Sequence, residues 1–162
     1  MSANTVTQES PVQRQSTAAS AVTACRVQPY LFFGGRCEEA IDYYRRVLGA
    51  EVTALMRFKD NPDKENCPMP VEDDRIMHAS FRIGETELMA SDGCDEAAKF
   101  DGFFLSLALP DVDEAGRVFA ALGEGGRMLQ PLMPTFFAKA FGMVADRFGV
   151  SWMVIVPARP PA

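Results

Sequence analysis

One pattern occurs twice in this sequence, and nothing else in it constrains the fold as tightly. Glu38-Glu39-Ala40 and Asp113-Glu114-Ala115 each open an amphipathic segment, with Ala40, Tyr43, Tyr44 and Val47 spaced like Ala115, Val118, Phe119 and Leu122. Apolar side chains at i, i+3, i+4 and i+7 share one face of an α-helix. Acids in the first turn, Arg45-Arg46 in the last and Gly49 behind them complete the first helix signal, and Asp111 can cap the second. Each helix follows an extended stretch, Val27 to Phe33 and Phe103 to Leu109. Each also precedes three strand candidates. In the first half these are Glu51 to Phe58, Ile76 to Ile83 and Thr86 to Ser91, with Gly84-Glu85 suited to a type II′ hairpin. In the second half they are Met128 to Met133, Lys139 to Ala145 and Ser151 to Val156. The order is therefore βαβββ twice, an α+β chain with modules at about 27–93 and 102–157.

A chain of 162 residues, 48% of them apolar, supports one core, and the two modules fit within one domain, 25–158. Residues 1–24, rich in Ser, Thr, Gln and Ala, are expected to form a disordered tail, and the Pro-rich residues 159–162 a frayed end. A long loop from Lys59 to Arg75 interrupts the first module; loops of that length are as often functional as mere surface excursions.

Several partner classes are disfavoured. The formal net charge is −6 and the basic residues are scattered, which repels nucleic acid. Every apolar run is broken well short of the roughly 20 residues a membrane helix needs, so no membrane partner is expected. Cys25, Cys37, Cys67 and Cys94 form no CxxC pair, and no leader-like apolar run precedes them. Free thiols and a cytoplasmic location are the expectation.

Strand alternation separates a helix-facing side from an open side. Met77, Ala79, Phe81 and Ile83 are expected under a helix, with His78, Ser80 and Arg82 opposite. Leu88 and Ala90 likewise oppose Glu87, Met89 and Ser91, while Leu105, Leu107 and Leu109 oppose Phe104, Ser106 and Ala108. Tyr30 and Phe32 alternate with Pro29, Leu31 and Phe33, and either cavity lining or core packing would suit them. His78, the sole histidine, defines no mechanism without a placed partner; it is either structural or a general base or ligand contact. Abundant methionine suits an adaptable pocket, and equally a gap-filled core.

Four stretches in order resemble PhnB-like proteins of the glyoxalase and bleomycin-resistance, or vicinal oxygen chelate, superfamily. They are Gln28 to Gly35, Glu38 to Ala50, Ile76 to Gly93 and Asp146 to Trp152. The resemblance implies paired modules forming an incomplete barrel around a cavity, usually in a homodimer, and a superfamily whose enzymes hold two substrate oxygens on a divalent metal. The matching ligand positions fall on Gln28, Met89, Phe104 and Met153, with Glu87 the nearest carboxylate. A phenyl ring, two thioethers and an amide do not suit a hard divalent ion, so neither metal nor other cofactor is expected.

PhnB-like sequences are often labelled ubiquinone-pathway methyltransferases. Gly123-Glu124-Gly125-Gly126 follows a helix and reads as a helix stop, and no Gly-rich strand-to-helix loop for an adenosyl cofactor is found. The favoured expectation is a small-molecule ligand held between the modules without metal, by Gln28, Tyr30, His78, Ser80, Met89, Ser91, Phe104 and Met153. The alternative is a divergent lyase or dioxygenase, metal-dependent or using His78 with Glu87 or Ser80. A purely structural dimer module would show no pocket.

Overall fold

The computed structural model describes residues 25–63, 72–93 and 99–158. The expected tail, the C-terminal residues, Cys67, Cys94 and residues 64–71 of the loop after Lys59 lie outside the described residues. Within them the order is β1 (Tyr30–Phe32), α1 (Cys37–Leu48), β2 (Glu51–Arg57), β3 (Ile76–Ile83), β4 (Thr86–Ser91), β5 (Leu105–Ala108), α2 (Val112–Gly123), β6 (Arg127–Met133), β7 (Ala138–Ala145) and β8 (Ser151–Pro157). The βαβββ pattern is thus present twice, in two open four-stranded sheets ordered β1-β4-β3-β2 and β5-β8-β7-β6. In each, the first strand pairs in parallel with the last and the other pairings are antiparallel.

Local chemistry accounts for the element ends. Asp111 caps α2 by accepting from the Glu114 N–H at 2.8 Å. Helix α1 has no local side-chain cap; instead the carboxylate of Asp92, at the end of β4, accepts from Cys37 N and Ile76 N, both at 2.7 Å. One buried acid therefore joins the start of the helix to the start of β3. Gly49 stops α1 in the left-handed conformation, φ 65°, its N–H returning to the Tyr44 carbonyl. At the β3–β4 hairpin Gly84 has φ 57° while Glu85 stays at negative φ, the sign pattern of a type II′ turn.

The outer strands begin later than their apolar patterns suggest: β1 holds only Tyr30–Phe32, and β5 starts at Leu105. One face assignment also changes. Ile76, 1% exposed, joins the core and Met77 does not, contrary to simple alternation. Met56 pairs with His78 and Arg57 with Ile76, so Met77 is an extra residue in a β-bulge, and the bulge resets the alternation behind it. Thr53 is the extra residue of a second bulge, between the Val52–Phe81 and Ala54–Ser80 pairs. Elsewhere the expected sides hold: Leu31, Ala79, Phe81, Leu88 and Ala90 are buried, and Leu105, Leu107 and Leu109 are half-buried against the same cluster.

The modules meet through α1 and the β7–β8 turn. Tyr44 stacks on Phe81 (centroids 6.1 Å) and meets Trp152 edge-on at 5.6 Å, so one side chain of the first module packs on both cores. The Tyr43 hydroxyl donates to the Ala121 carbonyl of α2 at 2.8 Å. Arg36 lies 4.5 Å over the Phe148 ring and Arg147 4.9 Å over Tyr43, a reciprocal pair of cation–π contacts across the seam. No helix among the described residues is long and apolar enough to cross a membrane.

Candidate functional site

Each helix covers one face of its sheet and leaves the other open. On the first sheet the open face carries Gln28, Tyr30 and Phe32 beside β4 residues Glu87 and Met89, then β3 residues His78 and Ser80, then Met56 of β2. The register places Tyr30 beside Met89, Met89 beside Ser80, and His78 beside Met56. Large apolar groups stay exposed there, Tyr30 at 38%, Met56 at 43% and Phe32 at 49%.

Two polar arrangements sit on this apolar floor. In one, the Tyr30 hydroxyl lies 3.2 Å from His78 Nδ1, and the Ser80 hydroxyl 3.2 Å from His78 Nε2. The lone histidine therefore has a hydroxyl at each ring nitrogen, and the strand spacing explains why. Residues 78 and 80 share a face of β3, and β1 lies two strands away with Tyr30 long enough to reach across Met89. The rings of Phe32, Tyr30 and His78 form a row, with centroid separations of 5.0 and 5.8 Å. In the other, Gln28 Nε2 donates to Glu87 Oε2 at 2.8 Å, and Arg26 pairs with the same oxygen at 3.1 Å.

The remaining candidates divide. Ser91 shares the first sheet's open side but is buried, 3% exposed. Phe104 and Met153 belong to the second sheet, where Met153 pairs with Ser106. Phe104 also lines a cavity of about 230 Å³ at the seam, with Pro29, Leu88, Leu105, Leu107 and Trp152 among its walls. Of the sequence candidates only Phe104 lines it, and Leu88 and Trp152 are helix-side residues, so this cavity is distinct from the open face around His78. The sequence predicts a cavity between the modules, but with all eight candidates converging on it; most of the other walls come from residues that alternation assigns to the helix side or to strand ends, which meet only where the two modules abut.

The geometry tests the metal positions directly. The β4 residue against Gln28 is Glu87, two residues before Met89, so the first sheet offers an amide and a carboxylate. That carboxylate is already matched by Arg26, and the cross-strand row through Met153 on the second sheet brings the Ser106 hydroxyl, the Met153 and Met143 thioethers and the neutral Gln130 amide, with no carboxylate or imidazole. Among the described residues no three His, Cys, Asp or Glu side chains converge. These residues do not fit a hard divalent ion. A strand-to-helix glycine pair does exist, Gly34-Gly35 before α1, but the helix N-terminus behind it is filled by the Asp92 carboxylate, where a bound anion would otherwise sit.

Burial and hydrogen bonding perturb groups at the seam, away from this face. Burial pushes the Asp146 carboxyl up, against the hydrogen bonds from Trp152, Tyr44 and two backbone N–H groups that favour its charged form. Burial raises the Tyr43 phenol to about 12 and holds the Tyr44 phenol and the Cys37 thiol well above their ordinary ranges.

Comparison with known proteins agrees with this architecture. The family model described as 3-demethylubiquinone-9 3-methyltransferase matches residues 25–155. Protein YjdN of Escherichia coli (strain K12) is 39% identical over 143 residues, covering 83% of this chain and 97% of that protein. The crystal structure of PA1353 from Pseudomonas aeruginosa superposes with a TM-score of 0.71 at 40% identity, over 83% of this chain and 98% of that one. A PhnB protein from Bacillus cereus, titled a putative 3-demethylubiquinone-9 3-methyltransferase, gives 0.69 at 25% identity, over 82% and 99%. A glyoxylase/bleomycin resistance protein/dioxygenase domain from Frankia sp. EAN1pec shares the fold, with a TM-score of 0.58 at 14% identity over 86% and 96%. The repeated module, the open paired sheets and these matches together establish that the chain belongs to the PhnB-like family of the vicinal oxygen chelate superfamily.

Proposed function

We propose that this protein binds a small, mostly apolar molecule on the open face of its first sheet, without a resident metal. One observation carries the reading: the exposed rings of Phe32 and Tyr30 and the half-buried ring of His78 form a row on the open face, with the exposed Met56 thioether beside it on β2. Contiguous exposed apolar surface of this kind marks binding sites more often than idle surface. The donor set around Gln28 and Glu87 supports the metal-free part, since it suits an amide–carboxylate–guanidinium cluster better than a cation. No feature of the helix α1 entry favours an adenosyl cofactor, and methyl transfer forms no part of the proposal.

A second copy of the chain is the partner that completes the site. The second sheet also leaves apolar groups exposed, among them Phe104 and Met133, and two such faces in one chain suit mutual covering in a homodimer. The proposal also keeps the protein in the cytoplasm, consistent with the free thiols Cys25 and Cys37.

The test is a panel of planar aromatic compounds screened by ligand-observed NMR against the wild type and Phe32→Ala. Binding that weakens at least about tenfold in the variant supports the assignment; binding indifferent to Phe32, or no binding at all, sinks it. Metal analysis of protein purified without chelator should find no stoichiometric divalent ion, and near-stoichiometric zinc, nickel, iron or manganese would favour the lyase or dioxygenase alternative. Sedimentation equilibrium should return twice the chain mass.

A further inference from the structure

We infer that the Tyr30–His78–Ser80 chain reads an oxyanion, so that the ligand of the first sheet is an aromatic carboxylate taken up together with one proton. The inference rests on the assignment of that face as the ligand site and adds the chemistry of what it selects.

Counting hydrogens leads to it. A neutral imidazole has one N–H and one acceptor nitrogen. If the hydrogen is on Nε2, that nitrogen donates to Ser80, Nδ1 accepts from Tyr30, and only the Ser80 hydroxyl hydrogen is left over. If it is on Nδ1, the roles reverse and only the Tyr30 hydrogen is left over. Either way the neutral chain offers one spare O–H. Protonation of His78 makes both ring nitrogens donors, so both hydroxyls accept from the ring and both O–H hydrogens become available to a ligand. The charged state therefore presents a hydroxyl donor on either side of a cation, so an anion that accepts from one of them, as a carboxylate oxygen can, also lies beside the positive charge.

The surrounding charges leave that role to His78. Sharing this face are Tyr30 on β1, Arg82 on β3, Glu51 on β2, Glu87 on β4 and Arg26 ahead of β1. Arg82 pairs with Glu51 at 2.5 Å and Arg26 with Glu87 at 3.1 Å, so both guanidinium groups already have an acid. A bound anion then gains its counter-charge from the imidazolium, and binding draws a proton from solvent onto the ring. The neighbouring Tyr30 and Phe32 rings give the aromatic part of the ligand a surface to stack on.

Because His78 is the sole histidine of the chain, its ring carbon-bound protons provide an unambiguous NMR reporter. The full-length, tag-free protein would be titrated with pH alone, with saturating benzoate, and with benzyl alcohol as an uncharged ring probe. Benzoate should move the His78 titration midpoint upward by about one unit, equivalent to about tenfold tighter binding of benzoate to the protonated protein. Benzyl alcohol should leave the midpoint in place. Tyr30→Phe/Ser80→Ala should weaken benzoate binding, and His78→Gln should both weaken it and remove most of its pH dependence. Benzoate binding with pH-independent affinity, or an unmoved midpoint, overturns the inference while leaving the binding face intact. Failure of both probes, and of the aromatic panel, to bind overturns the face assignment and the inference with it.

Discussion

The Tyr44 hydroxyl of the first module donates to the Asp146 carboxylate of the second across 2.7 Å, with both groups buried. The same carboxylate accepts from Trp152 Nε1 at 2.9 Å, from Phe148 N at 2.9 Å and from Val150 N at 3.1 Å. One acid thus shapes the β7–β8 turn, orients the tryptophan at the base of β8 and anchors α1 to the other module. The Asp146-Arg147-Phe148-Gly149 run that marks the family is therefore the clasp of the paired-module fold and no part of the open face of the first sheet.

Removing either half of that bond should weaken the whole domain. Tyr44→Phe leaves the carboxylate one donor short in a buried site and should cost about 1–3 kcal/mol. Asp146→Asn should cost more, because its NH₂ must face either the Tyr44 and Trp152 donors or the backbone N–H groups. Urea denaturation measures both, and a Tyr44→Phe loss below a few tenths of a kcal/mol would show that the bond adds little.

Alkaline pH should destabilise the protein through Cys37. Burial raises its thiol above the ordinary value near 8.5, so the unfolded chain gives up that proton first. The contribution is complete below the unfolded value and is lost as pH rises toward the folded one, at up to about 1.4 kcal/mol per pH unit. Stability measured from pH 7.5 to 9.5 should fall more steeply in wild type than in Cys37→Ala, whatever packing that substitution costs at all pH values. Parallel slopes would show that the thiol is not held protonated by the fold.

The two faces of β3 should respond differently to truncation. Phe81 is fully buried and stacked on Tyr44, so Phe81→Ala should cost about 3–5 kcal/mol. His78→Ala, on the open face, should cost under about 1 kcal/mol and act on ligand binding instead. Leu107→Ala should fall below the usual range of about 2–5 kcal/mol, since Leu107 is only half-buried and already borders the seam cavity. Equal losses at His78 and Phe81 would place the histidine in the core.

How far the sequence reveals these relationships depends on their range. Helices α1 and α2 are local objects, with face, charge bias and stop residues written within a dozen positions, and the repeated acid-acid-Ala signal aligns them. The sides of β3 and β4 follow from alternation up to the bulge at Met77, which no propensity announces because it depends on pairing with β2. The Tyr30–His78–Ser80 chain was foreseeable only as shared facing. Asp92 and Asp146 were missed as structural centres because their partners lie 55 residues away at Cys37 and 102 residues away at Tyr44.

Helix α2 offers a substitution expected to stabilise the protein. Gly116 sits in the interior of that helix at ordinary helical φ, and a methyl group added there would meet nothing within 4 Å. Glycine in such a position costs about 0.5–1 kcal/mol relative to alanine, because the unfolded chain loses more backbone freedom on ordering. Gly116→Ala should therefore raise stability by about that amount and leave the open faces of both sheets untouched. Gly126 is the contrasting control. A Cβ there would run into the Ala145 carbonyl and the Asp146 backbone, fixed parts of β7 and the clasp, so Gly126→Ala should destabilise even though its φ is not positive. Thermal unfolding of the two variants beside wild type should move in opposite directions. A neutral or lowered midpoint for Gly116→Ala would mean that this turn of α2 is more crowded in solution than its open surroundings indicate.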